Sequence, residues 1–477
     1  MRDQVQLIAY ADRLGGSLPR LGEVLQGPLA GVFGGVHVLP FYPPYDGADA
    51  GFDPDDHLAV DPRLGTWDDL AALARGRDVT ADLIVNHVSD RSAAFRNGEQ
   101  GMFLTYDKVF PHGATADDLL RIVRPRPGLP FTRATLGGRT RLLWTTFTPH
   151  QIDLDVDDPA ARAYLLSVLR RLAECGVTLV RLDAVGYTVK RAGTSCFLTP
   201  ETFAFVDDLT AEARGLGLEV LAEVHAHHRH ALAAAAHVDR INDFTLAPLV
   251  LHAVFTGDAV PLRQWLAARP SNTVTVLDTH DGLGMIDAGP GQRHDGLLST
   301  AQIAALVARI ADNSGRTSIA SRVPSGVYQV SCTLYDALGR DDDTFLLARA
   351  LQLFVPGIPQ IYYVGLLAGR NATFVGDARE INRRRYTRAE VDEAVRQPVV
   401  ARLLELVRLH NTHPAFAGEF SLPDVPDGEL ALAWRNGDAT AELRVALTGG
   451  SWRVSVDDGV EPRVVADGYA THPKKPS

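Results

Sequence analysis

Short runs of β-branched and aliphatic residues recur along the chain, and longer segments with helical periodicity lie between them. Eight of these runs predict strands: 6–11, 35–42, 81–87, 177–185, 218–225, 238–244, 272–281 and 358–365. Strands that alternate with helices favour a parallel sheet. The pattern therefore predicts an α/β fold, a (β/α)8 TIM barrel.

Start and stop signals locate two of the helices. Asp157 or Asp158 can cap a helix whose first turn contains Pro159, and Gly176 can end it just before the fourth strand. A second helix is expected to follow Thr199 and to stop near Gly215. Both lie between predicted strands, as a barrel requires.

Two gaps between strands are too long for ordinary barrel loops and predict insertions on the catalytic face. The patterns divide the chain into barrel segments 1–87, 158–282 and 339–417, an irregular subdomain 88–157 after the third strand, and a second insertion 283–338 after the seventh. From residue 418 onward, alternating strands separated by Gly and Asp turns predict a small C-terminal β domain, 418–477, of the sandwich type.

Charge and composition exclude several classes of protein. The net charge of −11 argues against a nucleic-acid partner, which would require a basic face. We find no signal peptide and no membrane-length apolar segment, so a cytoplasmic location is expected. The three cysteines form no CxxC pair, and no residues are spaced as in a calcium loop. We expect neither a metal nor a cofactor.

Three acidic residues follow predicted strands: Asp183, Glu223 and Asp281. Each would project from the carboxyl end of a buried parallel strand, where barrel enzymes place their catalytic groups. Glycosyl transfer with retention needs one carboxylate as nucleophile and a second carboxyl group as acid and base. Crowding of like charges would raise the pKa of the least solvated carboxyl group, and we expect that group to be the proton donor.

Five short blocks around these acids carry a resemblance to a known family. They are VNH at 85–87, QIDLD at 151–155, RLDAVGY at 181–187, EVH at 223–225 and LDTHD at 277–281. In this order they resemble the signature blocks of the α-amylase superfamily, glycoside hydrolase family 13. The resemblance implies that Asp183 is the nucleophile, Glu223 the general acid and base, and Asp281 a stabiliser of the distorted sugar. It also implies that Arg181 orients the nucleophile and that His87 and His280 bind sugar hydroxyls.

Within that superfamily the chain is most similar to the sucrose phosphorylase subgroup. The matching segments are 39–54, 124–131, 192–203 and 381–386, together with Tyr187. The subgroup implies a pocket for a single glucosyl unit, in which Asp49 and Arg383 pair across the glucose and Phe52 and Phe147 form apolar walls.

A phosphorylase also needs fixed cations beside its acidic site, because phosphate replaces water as the attacking group. Arg126, between two prolines, is our candidate for binding phosphate, with Arg124 as the alternative in the same loop. Tyr328, Tyr187 and His225 would assist, and Gln329 is a further expected substrate contact.

The acceptor side departs from the subgroup. Gly326 stands where the subgroup has an aspartate that helps to hold fructose, and Val123 stands where a tyrosine is common. The resemblance implies reversible phosphorolysis of sucrose to α-glucose 1-phosphate and fructose. Phosphorylases of glucosylglycerol, glucosylglycerate or sucrose 6′-phosphate, an α-glucosidase-type hydrolase and a catalytically inactive sugar-binding scaffold are the alternatives. The expected partners are small molecules, namely sucrose, phosphate and alcohol acceptors, and the expected state is a monomer or homodimer.

Overall fold

The computed structural model describes residues 2–47, 49–99, 101–291, 294–324, 326–373, 377–459 and 461–470. Its strands, in chain order, are β1 (Gln6–Ala9), β2 (Gly35–Val38), β3 (Asp78–Ile84), β4 (His87–Ser89), β5 (Phe131–Leu136), β6 (Arg139–Trp144), β7 (Gln151–Asp153), β8 (Leu179–Asp183), β9 (Glu219–Ala222), β10 (Arg240–Asp243), β11 (Thr273–Thr275), β12 (Leu283–Gly284), β13 (Ile319–Val323), β14 (Gly326–Ser331), β15 (Ile358–Tyr362), β16 (Glu419–Ser421), β17 (Glu429–Asn436), β18 (Ala439–Ala446), β19 (Ser451–Asp457) and β20 (Arg463–Tyr469).

The helices surround and connect these strands. They are α1 (Leu18–Gln26), α2 (Trp67–Ala74), α3 (Ala93–Asn97), α4 (Tyr106–Val109), α5 (Ala116–Arg121), α6 (Pro159–Glu174), α7 (Pro200–Gly215), α8 (His228–Ala234), α9 (Leu246–Thr256), α10 (Val260–Ala268), α11 (Thr300–Asn313), α12 (Leu334–Ala337), α13 (Asp342–Phe354), α14 (Tyr363–Leu366), α15 (Arg388–Ala394) and α16 (Pro398–Thr412). Within the described residues, no helix has both the length and the apolar character needed to cross a bilayer.

Eight parallel strands close into a barrel in the order β1-β15-β11-β10-β9-β8-β3-β2. The eight predicted runs supply these eight strands, so the predicted TIM barrel is confirmed. All seven residues of β3 are buried, as expected for a strand with helices on one side and the barrel interior on the other. Seven of these strands are shorter than predicted, and β3 has the predicted length but begins three residues earlier.

The two helices predicted from their end signals form as expected. In α6, the Asp158 side chain caps the helix by accepting a hydrogen bond from the Ala160 amide, and Pro159 occupies the first position. In α7, the Thr199 hydroxyl accepts from the Thr202 amide. These caps satisfy amide groups that would otherwise lack partners at the helix start.

The segment after the third barrel strand is more regular than predicted. It contains the hairpin of β5 and β6, the helices α3 to α5, and β7, which pairs with β4. Phe131 and Phe110 pack on Trp144 and give this segment its own small apolar core. The expectation of an irregular subdomain was wrong, because these aromatic contacts stabilise short elements that have weak sequence patterns.

The C-terminal strands form one antiparallel sheet in the order β16-β17-β18-β19-β20. Within the described residues this is a single sheet, so the predicted sandwich was wrong. The sheet's apolar face packs on the barrel helices instead of on a second sheet. Trp434 contacts Phe416 and donates a hydrogen bond to the Phe354 carbonyl at the end of α13.

Candidate active site

A cavity of about 480 Å³ opens at the carboxyl ends of the barrel strands. Both insertions wall it, the first through Pro125, Arg126 and Phe147 and the second through β13 and β14. The cavity is lined by all the site residues predicted from sequence except one: Asp49, Phe52, His87, Arg126, Phe147, Asp183, Tyr187, Glu223, His225, His280, Asp281, Tyr328, Gln329 and Arg383. The exception is Arg181, which is 4% exposed and supports the acids from behind.

Arg181 connects two of the three acids. Its Nη1 lies 3.3 Å from Asp183 Oδ1, and its Nη2 lies 2.6 Å from Glu223 Oε1. Residues 181 and 183 project from the same face of β8, since side chains alternate along a strand. The buried Asp82 on β3 also contacts Arg181, at 2.5 Å, and fixes the guanidinium from the barrel interior.

The carboxyl groups of Asp183 and Glu223 are in hydrogen-bond contact. Burial and the charge of Glu223 raise the pKa of Asp183 well above its ordinary value, and Arg181 only partly opposes this. Two carboxyl groups in contact oppose each other's ionisation, because like charges repel. The sequence predicts the raised pKa on the proton donor, a role that the resemblance gives to Glu223, but it falls on Asp183.

Asp281 has a different environment. Its Oδ1 lies 3.3 Å from Arg383 Nη2, and its Oδ2 lies 3.5 Å from His280 Nε2. Burial favours a higher pKa for Asp281, but His280 and Arg383 outweigh it and hold the pKa well below the usual range. Asp281 is therefore ionised, in contrast to Asp183, whose pKa is raised.

The acids converge at one place. Ligating atoms of Glu223, His225 and Asp281 lie within 4.8 Å of one another. Such spacing can accommodate a cation, but the guanidinium groups of Arg181 and Arg383 already contact the two carboxylates. These fixed positive charges oppose a divalent ion there. The arrangement fits a substrate that develops positive charge only transiently at its reacting carbon.

Asp49 and Arg383 both line the cavity and have separate protein partners, and their expected pairing across a glucose unit stays a prediction. Asp49 Oδ1 contacts Arg379 Nη1, and Asp49 Oδ2 accepts a hydrogen bond of 2.9 Å from Gln151 Nε2. Arg383 is instead directed to Asp281 and to the His280 carbonyl, to which its Nε donates at 2.8 Å. The 3-10 turn Ala378–Asn382 places Arg379 beside Asp49.

Aromatic rings line two sides of the cavity. Phe52 stacks on His280 with 4.7 Å between centroids and an angle of 9°. Phe147 contacts His87 on one side and Tyr187 on the other. Burial lowers the pKa of His280 to about 3 and also lowers the pKa of His87. Both imidazoles are therefore neutral at physiological pH. The ring nitrogens of His87 already have partners, since Nε2 lies 2.9 Å from the Phe52 carbonyl and Nδ1 lies 3.3 Å from the Asn86 amide nitrogen.

The two candidate phosphate-binding arginines have different surroundings. Arg124 donates to the carbonyls of Thr146, Phe147 and Gly128, so its guanidinium holds the loop in place. Arg126 lines the cavity and has no hydrogen bond or ion pair to any residue that the structure describes. Arg126 is thus the cation of this loop that is available to a ligand.

Sequence reasoning missed several residues of the site. Gln151 and Arg379 contact Asp49. Arg322 lines the cavity, and Asp287 contacts His225. Gln151 was within reach of the sequence, because it opens the QIDLD block. Asp287 gave no signal, since it lies in an insertion without strand or helix periodicity.

The loop around Gly326, where the sequence departs from the subgroup, also has a backbone shape that fits glycine. Gly326 adopts φ +139°, a conformation that favours glycine, and a Cβ added there would meet open space. The loop has therefore lost an acidic side chain and gained a backbone shape that an aspartate would strain. Ser325, its neighbour, lies outside the described residues.

A parallel eight-stranded barrel with three acids, an arginine and two histidines at its mouth defines an enzyme of the α-amylase type. The Alpha-amylase catalytic domain family matches residues 32–213. A sucrose phosphorylase from Agrobacterium vitis is 50% identical over 469 residues, which cover 94% of this chain and 96% of that protein. A sucrose phosphorylase from Bifidobacterium adolescentis is 46% identical and covers 93% of this chain and 92% of its own length.

The crystal structure of sucrose 6F-phosphate phosphorylase from Thermoanaerobacter thermosaccharolyticum superposes with a TM-score of 0.90 at 36% identity, covering 98% of this chain and 99% of that one. The chain belongs to the sucrose phosphorylase family within the α-amylase superfamily.

Proposed function

We propose that this enzyme transfers a glucosyl unit with retention and carries out the reversible phosphorolysis of sucrose to α-glucose 1-phosphate and fructose. The observation that carries the proposal is the free guanidinium of Arg126, which lines the same cavity as the paired carboxyls of Asp183 and Glu223. A hydrolase needs only water at this position, whereas a phosphorylase needs a fixed cation for a dianionic substrate. The similarity to sucrose phosphorylases along nearly the whole chain supports the same assignment.

The first half-reaction forms a glucosyl enzyme. Asp183 attacks the anomeric carbon of sucrose, the bond to the fructosyl oxygen breaks, and Glu223 gives its proton to that oxygen. Contact between the two carboxyl groups favours this route, because an inverting enzyme would need space for a water molecule between them. Arg181 keeps Asp183 oriented and provides the counter-charge for its carboxylate, while Glu223 carries the proton.

The second half-reaction releases the product. A phosphate oxygen, with the dianion held by Arg126, bonds to the anomeric carbon as the ester bond to Asp183 breaks, and the phosphate proton returns to Glu223. The configuration at the anomeric carbon is retained because two inversions occur. Tyr328, Tyr187 and His225 lie on the same wall and complete the phosphate side.

The glucosyl unit occupies the part of the cavity formed around Asp281. Ionised Asp281 and its partner Arg383 are placed to bind hydroxyls of the distorted ring, and neutral His280 adds a hydrogen bond. His87, whose ring nitrogens are bonded to Phe52 and Asn86, contributes to the wall of the pocket. Asp49, held by Gln151 and Arg379, closes the end of the pocket. Phe52 and Phe147 provide apolar surfaces, and Gln329 contacts the substrate from β14.

A related glucoside phosphorylase is the second candidate, and it is favoured by the acceptor loop. Gly326 and Val123 remove two polar side chains that would hold fructose, and each lost contact costs roughly 1 to 3 kcal/mol if its partner stays buried. Glycerol, glycerate and fructose 6-phosphate are the alternative acceptors on chemical grounds.

The decisive experiment is sucrose cleavage with and without inorganic phosphate. We expect glucose 1-phosphate as the main product and a strong dependence on phosphate concentration. Equal rates of glucose release without phosphate would identify a hydrolase instead. In the reverse direction, glucose 1-phosphate with a panel of fructose, glycerol, glycerate and fructose 6-phosphate identifies the acceptor by the rate of phosphate release.

A further inference from the structure

Asp287, in the second insertion, makes three contacts with the segment that follows β9. Its Oδ2 lies 3.3 Å from His225 Nδ1, and its Oδ1 accepts a hydrogen bond from the Ala226 amide at 3.2 Å. Its backbone carbonyl accepts from the His228 amide at 3.0 Å. Asp287 is only 2% exposed. These contacts give its buried polar atoms partners, although the partner residues are distant in the sequence.

The His225 ring is fixed on its other sides as well. It stacks on Phe244 from β10 with 3.6 Å between centroids and an angle of 19°. A Cβ placed on Gly284 would lie 3.1 Å from Asp287 Oδ2 and 3.4 Å from His225 Cε1, so this glycine allows the close approach. The imidazole therefore has little freedom to rotate.

The remaining nitrogen of His225 has no hydrogen-bond partner within the described residues. His225 Nε2 is buried, belongs to a side chain that lines the cavity, and lies 4.0 Å from Glu223 Oε1. Because the Asp287 carboxylate can only accept, Nδ1 must donate to it and carry a proton. A carboxylate that orients an imidazole in this way is a recurring device for presenting the second nitrogen to a substrate.

The charges around His225 favour its cationic form. Burial acts to lower its pKa, but Asp287, Glu223 and Asp281 outweigh burial and raise the pKa above the ordinary value. The other neighbours are Phe244, which is neutral, and the Tyr328 phenol, whose pKa burial raises. A protonated ring carries a hydrogen on Nε2 as well as on Nδ1.

We propose that Asp287 is a positioning residue that holds His225 with its Nε2–H directed into the cavity beside Glu223, where it donates to an oxygen of the incoming phosphate. This inference rests on the proposed phosphorolysis and adds a second cation to Arg126. Water needs no such donor. Loss of Asp287 therefore impairs the phosphate half-reaction more than hydrolysis of the glucosyl enzyme.

The test is Asp287→Asn, which keeps the side-chain size and can still accept from the Ala226 amide. We expect kcat/KM for inorganic phosphate to fall at least tenfold at pH 7, while sucrose hydrolysis without phosphate stays within about twofold. The rate of phosphorolysis declines as pH rises through the pKa of His225. Since Asp287 raises that pKa, the decline in Asp287→Asn begins at a lower pH than in the native enzyme.

A matched control comes from another aspartate and histidine pair. Asp258 Oδ2 lies 3.3 Å from His252 Nε2, and neither residue lines the cavity, so Asp258→Asn tests loss of a comparable contact elsewhere. It should leave both reactions unchanged. The double variant Asp287→Asn with His225→Asn should be no worse toward phosphate than His225→Asn alone, because the aspartate acts through the histidine.

Equal losses of phosphorolysis and hydrolysis in Asp287→Asn, or independent effects of the two substitutions, would overturn the positioning role. If the native enzyme itself does not use phosphate, the proposed function fails instead. This result differs from equal losses in the variant, so the two failures can be told apart. Should Asp287→Asn not fold, histidine-ring NMR of the native enzyme decides. We expect His225 to titrate above exposed histidines and its Nε2 signal to shift on addition of phosphate, and a ring that stays neutral at pH 6 would contradict the inference.

Discussion

Arg181 Nη2 lies 2.6 Å from Glu223 Oε1, closer than Arg181 Nη1 lies to Asp183, at 3.3 Å. The cation is therefore placed to stabilise the Glu223 carboxylate more strongly than that of Asp183. The raised pKa of Asp183, caused by burial and by Glu223, agrees with this asymmetry.

The two carboxyl groups should respond differently to the leaving group. We expect Asp183→Asn to lose at least about 10⁴-fold in kcat on both sucrose and α-glucosyl fluoride, because no glucosyl enzyme forms. Glu223→Gln should lose sucrose cleavage but keep release of fluoride, since fluoride departs without a proton. Stopped-flow or electrode measurement of fluoride separates the roles. Fluoride release by Asp183→Asn at the native rate would exclude it as nucleophile.

Arg126→Ala should impair phosphate use selectively. We expect the KM for phosphate to rise at least tenfold, since a charge-assisted contact of roughly 1.5 to 3 kcal/mol is lost. Hydrolysis of sucrose without phosphate should change by less than about twofold. Arg133→Ala, an exposed arginine of β5 outside the cavity, is the control. Parallel losses in the two reactions would place the anion elsewhere.

Asp53 makes stability depend on pH. Burial, followed by the charges of Asp49 and Asp46, raises its pKa from 3.8 to about 7. The folded state then holds a proton that the unfolded state has lost between about pH 4 and 7, so this group's contribution to stability falls as pH rises.

Asp53→Asn imitates the protonated acid. We expect its free energy of unfolding to exceed that of the native chain, by a difference that grows with pH. It should be near zero at pH 4 and about 1 kcal/mol or more at pH 8, measured by denaturant unfolding. Asp424→Asn, at an exposed position, should show no such trend. A constant difference across this pH range would assign a normal pKa to Asp53.

Asp278 and Arg349 form a buried ion pair at 2.7 Å that stabilises the segment leading to Asp281. Asp278→Ala should cost about 3 to 5 kcal/mol in the free energy of unfolding, because it leaves a buried guanidinium without its counter-charge. The double variant Asp278→Leu with Arg349→Met should recover most of this loss. Asp312→Ala, which breaks the exposed pair with Arg316, should cost less than about 0.5 kcal/mol. Similar losses from the buried and exposed pairs would contradict the role of burial.

The sequence by itself determined the barrel and the location of the three acids at its mouth. Runs of β-branched residues predicted the eight strands, and the position of Asp183, Glu223 and Asp281 just after three of them placed their side chains at one mouth. This inference succeeds because parallel strands in a closed barrel end on the same side. The blocks around these acids added the family.

Only the tertiary structure decided which side chains contact each other. Asp49 is held by Arg379 and not by Arg383, Arg124 holds a loop while Arg126 is available to a ligand, and Asp287 reaches His225 across 62 positions of the chain. Such choices depend on the positions of side chains that are distant in the sequence, and no periodicity in the sequence encodes them. The C-terminal sheet is a second example. Alternating apolar and polar residues predict its strands, but they do not show which surface its apolar face packs against.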